Sequence, residues 1–132
     1  MQKDDGRVVS NFINQALDGK PLTIYGKGNQ TRSFCYYSDL ISGIEKVMFK
    51  EGIEGEIFNL GNPNEFKVIE LAKLIISLTG SKSKIEYLPL PEDDPAKRRP
   101  DITKAKNILA WKPVVNISEG LKKTIEYYQN EK

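Results

Sequence analysis

Apolar positions fall into blocks with different periods along the chain, and each block predicts an element. Val8, Val9, Phe12, Ile13, Ala16 and Leu17 recur at the three-and-four spacing of one helix face. Asp4 or Asp5 can cap its start, and Gly19 stops it. The period then changes. PLTIY, GKGNQ and TRSFCYY place two β-rich runs around a Gly/Asn loop, which predicts strand, turn, strand. Ser38 is placed to cap a second helix carrying Leu40, Ile41, Ile44, Val47 and Met48 and closed near Gly52. EIFNL at 56–60 predicts a short strand, and GNPNE is turn chemistry. A third helix carries Ile69, Leu71, Ala72, Ile75, Ile76 and Leu78 ahead of Gly80; it is apolar around much of its circumference and therefore expected to be buried. Lys84–Leu88 predicts another strand, followed by the proline-broken loop PLPEDDPAKRRPD. Asp101 can cap a short helix through Leu109. Asn116 with Glu119 makes an approximate capping box for a last helix of about 14 residues, fraying at YYQNEK.

The predicted order is α-β-β-α-β-α-β-α-α, an α/β or α+β pattern with about five helices and short strands. A self-contained parallel sheet needs several strands joined by helical crossovers, and these strands are few. The elements could close into a small two-layer domain. They could equally be the covering part of a larger α/β protein, and that second reading is preferred on the motifs below.

Composition narrows the chemistry. The 132 residues include one cysteine and no histidine. That excludes a Ser-His-Asp triad, a Cys-His pair, a histidine-containing zinc site, an intrachain disulfide and a four-cysteine metal site. No metal site is expected. At 39% hydrophobic and 29% charged, the composition is that of an ordinary globular protein. The net charge of +2 implies no nucleic-acid partner. No apolar run approaches the roughly 20 residues that span a bilayer, and MQKDDGRVV has no signal-peptide apolar region, so no membrane partner and a cytoplasmic location are expected.

Few residues could carry chemistry. GKGNQ at 26–30 lacks the third glycine of a dinucleotide fingerprint and precedes a strand instead of a helix, so it reads as a hairpin turn and not a phosphate cradle. Lys97, Arg98 and Arg99 stand together in the proline-bounded loop, after Glu92, Asp93 and Asp94. They form either a solvated, self-compensating charge run or a fixed guanidinium fork for a phosphate. Arg32 lies inside an apolar strand pattern and must be paired to a carboxylate or aimed at a ligand. Two arginines from distant segments would make a diphosphate clamp. Cys35 lacks a base and reads as a packing residue. Tyr25, Tyr36 and Tyr37 can pack or stack on a ring. Trp111 reads as an anchor for the last two helices. Asp93 and Asp94 are adjacent in a loop, which rules out a glycosidase pair.

The runs DGRVVSNFINQAL, PLTIYGKGNQTRSFCYYSDLISGI, IFNLGNPNEFKVIELAKLI and DDPAKRRPDITKAKNILAWKP resemble the C-terminal part of the extended short-chain dehydrogenases/reductases. DDP-x-KRRPDI tilts the resemblance toward their UDP-glucuronate decarboxylase (UDP-xylose synthase) branch. The 4,6-dehydratases of dTDP-glucose and the 4-epimerases of UDP-glucose share looser versions. Two positions depart from the family pattern: Ala110 replaces the glycine of an L-G-W run, and Lys67 stands where Ser or Thr often caps the third helix.

The resemblance implies that residues 1–132 are a single partial domain, the nucleotide-sugar-binding portion, lacking most of the Rossmann sheet. It implies that 39–60 pack on the missing N-terminal Rossmann domain. NAD is expected in the full-length enzyme, with no cofactor bound by this chain alone. The family's Tyr-x-x-x-Lys pair lies in that missing part, and Tyr128 with Lys132 reads as chance. Leu22, Thr23 and Tyr25 match the lining of a uracil and ribose pocket, Val8 a helix start near the nucleotide, and Gln30 and Arg32 the phosphate contacts. Arg98 matches an arginine at the diphosphate and sugar that assists catalysis. The partner implied is a UDP-sugar, the parent a homodimer, and the isolated chain a weak, inactive binder able to self-associate. A non-catalytic binding module is the rival of another class.

Overall fold

A computed structural model describes residues 7–89 and 100–131. The elements are α1 (Val8–Leu17), β1 (Leu22–Tyr25), β2 (Thr31–Arg32), α2 (Tyr37–Phe49), β3 (Phe66–Lys67), α3 (Val68–Thr79), β4 (Ile85–Leu88), α4 (Thr103–Leu109) and α5 (Ile117–Asn130). The order of types is the predicted one, but the pairing is not. β1 pairs in parallel with β4, Leu22 opposite Ile85 through Tyr25 opposite Leu88. β2 pairs antiparallel with β3, Thr31 opposite Lys67 and Arg32 opposite Phe66. The hairpin expected around GKGNQ is therefore absent. The ladder of β1 runs on into the turn, where Gly26 N–H donates to Leu88 O, and the chain then swings to a second ribbon.

Two further expectations change. Residues 56–60 form no strand; Ile57 is 81% exposed, and the segment is held instead by Lys104, which pairs with Glu56 and donates to Ile57 O at 2.9 Å. Strand formation follows a partner more than propensity, and β3 at 66–67 has the partner. Ser38 lies inside α2, whose N-cap is Tyr36. The other boundaries fall close to expectation. Gly80 ends α3 in the left-handed region at φ +67°, Asp101 Oδ1 accepts from Thr103 N–H at 3.0 Å, and Asn116 Oδ1 accepts from Glu119 N–H at 2.8 Å. Asp4 and Asp5 lie outside the described residues. Gly61, within the predicted turn, is needed for space: a Cβ there would meet Pro100 Cγ at 2.9 Å.

The larger core joins Phe12, Ile13 and Ala16 of α1, Leu22 and Ile24 of β1, Leu71, Ala72 and Ile75 of α3, and Leu121, Ile125 and Tyr128 of α5. Burying such side chains contributes about 1.5–3 kcal/mol each. A second cluster gathers Ile102, Ala105, Leu109 and Trp111, with Cys35, Val47, Phe58 and Leu60 packed against it. Asp39 ties that cluster to α2. It is 4% exposed; its Oδ2 accepts from Val114 N–H at 3.0 Å and Val115 N–H at 2.9 Å, and its carbonyl accepts from Trp111 Nε1 at 2.9 Å. Trp111 is thus an anchor, but it locks the α4–α5 connection onto α2.

Candidate functional site

Of the predicted ligand-facing residues, Tyr25, Gln30 and Arg32 lie where β1 ends and β2 begins. Gln30 Nε2 donates to Tyr25 O at 2.8 Å, closing the turn from its side chain. The backbone of the same turn faces α3. Ile69 N–H donates to Gly28 O at 3.1 Å, and Val68 N–H donates to Gln30 O at 3.0 Å. These carbonyls satisfy N–H groups that open a helix, which explains how α3 follows its N-cap Lys67 without a Ser or Thr cap. The polarity is opposite to a phosphate cradle, which needs N–H groups pointing at the anion. The turn therefore does not fit NAD phosphates. Gly28 is required by both shape and backbone: φ is +80°, and a Cβ would meet Ile69 Cβ at 2.9 Å.

The remaining residues divide. Thr23 is half-buried and engaged twice by Gln15 of α1, its N–H donating to Oε1 at 3.1 Å and its Oγ1 accepting from Nε2 at 3.0 Å. Sequence reasoning missed Gln15, whose spacing marked it only as off the apolar stripe. Leu22 is fully buried in the core, so its side chain is not open to a ligand in this arrangement. Tyr25 is 47% exposed at the end of β1. Arg32 is half-buried, and its Nη1 donates to Thr31 O at 2.8 Å. Thr31 Oγ1 is buried with no hydrogen-bond partner among the described residues, a state that costs about 1–3 kcal/mol. Val8 is half-buried at the start of α1, against the core. Arg98, with Lys97 and Arg99, lies outside the described residues.

A hollow lies elsewhere. A cleft of about 740 Å³ opens between Phe34, Tyr36 and Tyr37 on one side and Leu121, Tyr127 and Lys123 of α5 on the other. Of the residues matched to the nucleotide-sugar none lines it, but Cys35, Tyr36, Tyr37 and Tyr128 do, as does Val9 beside Val8. Lys123 Nζ sits 5.5 Å from the Tyr36 ring centre. Its lining is largely apolar and aromatic, with Lys123 and Glu126 as its charged side chains among the described residues, and one lysine offers little place for phosphate charge, so the β1–β2 corner remains the better candidate. Cys35 fits its packing role: burial raises its thiol pKa above the ordinary value, and the nearby Asp39 charge adds to that. Tyr128 is 6% exposed, packed in the core at the edge of this cleft. Among the described residues, no group of His, Cys, Asp and Glu side chains could hold a metal, and no helix is long and apolar enough to cross a membrane.

Residues 1–61 match the NAD dependent epimerase/dehydratase family. Over 131 residues the chain is 54% identical to UDP-glucuronic acid decarboxylase 1 of Danio rerio, covering 99% of this chain and 31% of that protein. It is 55% identical over 118 residues to UDP-glucuronic acid decarboxylase 4 of Arabidopsis thaliana, covering 89% of this chain and 26% of that protein. The chain thus spans about a third or less of the length of the curated relatives it matches. Its fold superposes on UDP-glucuronic acid 4-epimerase from Bacillus cereus, solved with UDP-glucuronic acid and NAD, with a TM-score of 0.91 and 28% identity, covering 100% of this chain and 42% of that one. A UDP-glucose 4-epimerase from Thermotoga maritima, solved with UDP-glucose, gives a TM-score of 0.88 and 34% identity over 95% of this chain and 40% of that one.

Proposed function

We propose that this chain, which carries the C-terminal part of an extended short-chain dehydrogenase/reductase of the NAD-dependent epimerase/dehydratase family, forms the nucleotide-sugar-binding wall of a UDP-glucuronate decarboxylase. The observation that carries the reading is a difference in identity. The chain is 54% identical to a decarboxylase but 28% and 34% identical to the two epimerases of nearly the same fold. Fold is shared across the family; the side chains at the sugar are not, so sequence is the better guide to the reaction.

In this reading the β1–β2 corner receives the nucleotide. Thr23 and Tyr25 flank the uracil and ribose, with Leu22 shaping the strand from behind and Val8 at the neighbouring helix start. Arg32 meets the diphosphate, and Arg98 meets the diphosphate and sugar. A guanidinium fixed there stabilises the negative charge that develops on the sugar as the carboxylate leaves. It does so electrostatically, since arginine holds its proton at any working pH. NAD, held by the rest of the polypeptide, supplies reversible hydride acceptance. The exposed apolar stripe of α2 and the 53–60 segment pack against that cofactor-binding part, and residues 1–132 behave as one partial domain. The parent is a cytoplasmic homodimer; the isolated chain binds weakly, lacks activity and self-associates through the uncovered stripe.

Product analysis of the full-length enzyme tests this. Given UDP-glucuronate and NAD, it should release carbon dioxide and UDP-xylose, and Arg98→Ala should lower turnover far more than Arg32→Lys does. UDP-galacturonate without carbon dioxide would make it an epimerase. Turnover of dTDP-glucose alone would make it a dehydratase, and binding without any product would make it a binding module.

A further inference from the structure

We infer that Gln30 is a positioning residue: it sets the place of Arg32 and does not contact the nucleotide-sugar itself. The inference rests on the reading of Arg32 as the diphosphate ligand and specifies how that ligand is held. Between the end of β1 and Arg32 the chain must leave one ribbon and enter another, and the side chain of Gln30 joins the two by donating to Tyr25 O at 2.8 Å. Its own carbonyl accepts from Val68 N–H at 3.0 Å, which fixes the same residue to the first turn of α3. One residue later, Thr31 enters its pairing with Lys67, and Arg32 pairs with Phe66. Gln30 therefore sits at the junction of three elements, with side chain and backbone both committed.

Gly28 limits the same turn from the other side. Its carbonyl accepts from Ile69 N–H at 3.1 Å, and the space for a Cβ is taken by Ile69 Cβ at 2.9 Å and Ile24 Cγ2 at 3.3 Å. Ile24 is fully buried in the core. The turn is thus clamped to the core at Gly28 and strapped to β1 at Gln30, and the two-residue β2 that carries Arg32 inherits its position from them. A strand held by two residue pairs has little stiffness of its own, so releasing the strap should let Arg32 move relative to Thr23 and Tyr25.

The test is steady-state kinetics of the full-length enzyme with UDP-glucuronate, together with titration by UDP and by uridine. Gln30→Met keeps the length of the side chain and removes the donor. It should raise KM and weaken UDP binding by about tenfold, with kcat within about twofold, the pattern of lost uniform binding. Uridine, which has no phosphate, should bind as before. In an Arg32→Ala background, Gln30→Met should add less than about twofold, because the group it positions is gone. Gly28→Ala, an independent disturbance of the same turn, should reproduce the rise in KM. An unchanged KM in Gln30→Met, or a further full loss in the Arg32→Ala background, would overturn the inference, the latter by making Gln30 a direct ligand. If Arg32→Ala itself leaves KM unchanged, the reading of Arg32 fails first and visibly.

Discussion

The body made by α1, β1, α3, β4 and α5 and the helix α2 treat their apolar residues in opposite ways. In the body the apolar faces meet: Phe12, Ile13, Leu22, Ile24, Leu71 and Ile75 are at most 2% exposed. In α2 the buried positions are Asp39 and Gly43, while Leu40, Ile41, Ile44, Met48 and Phe49 are 37–78% exposed. Gly43 is there for closeness, since a Cβ would meet Leu60 Cδ1 at 3.0 Å and the Trp111 ring at 3.1 Å. The difference teaches that a single chain can hold a finished core and an unfinished one side by side. The polar staple and the glycine hold α2 to the chain, and its apolar stripe stays exposed among the described residues.

That contrast can be broken by mutation, and the sizes should fall in order. Leu71→Ala, in the centre of the body, should cost about 3–5 kcal/mol in chemical denaturation, as deletion of a fully buried side chain does. Asp39→Ala should cost about 2–4 kcal/mol, because the Val114 and Val115 N–H groups would lose a charged acceptor in a buried place; Asp39→Asn, which keeps an acceptor, should cost clearly less. Ala110→Gly should stabilise by about 1 kcal/mol. Ala110 sits in the left-handed region at φ +53°, which glycine adopts without strain. Met48→Ser, on the exposed stripe, should change stability by less than about 0.5 kcal/mol. By light scattering, however, it should reduce self-association. If Met48→Ser cost as much as Leu71→Ala, the stripe would be part of a core and the contrast would fail.

Local signals carried the helices well. The periods of α1 and α3, the Gly80 stop and the Asn116 cap of α5 are fixed by residues a few positions apart, so they were readable. The strand partners were not. β1 finds β4 some sixty residues onward, and nothing in PLTIY specifies that distance, so the nearby Gly/Asn turn suggested a hairpin. EIFNL has the composition of a strand yet no partner, whereas Phe66–Lys67 has little strand character and a partner in β2. For α2 the period gave a stripe but not its direction, since periodicity cannot say whether a face points inward. Asp39 was missed as a staple because its donors lie some 75 positions away. At the site, Arg32 was legible as an arginine in an apolar strand. The duty of GKGNQ as a backbone cap for α3 was not, because carbonyls carry no sequence signature.

The central claim, that these residues hold a nucleotide-sugar at the β1–β2 corner, is tested most directly by calorimetric titration of this chain and its Arg32→Ala variant. The account predicts weak heats with UDP-glucuronate and UDP-xylose alike, lost in Arg32→Ala. Tight binding of dTDP-glucose with no response to either UDP-sugar, or binding that Arg32→Ala leaves intact, would contradict it.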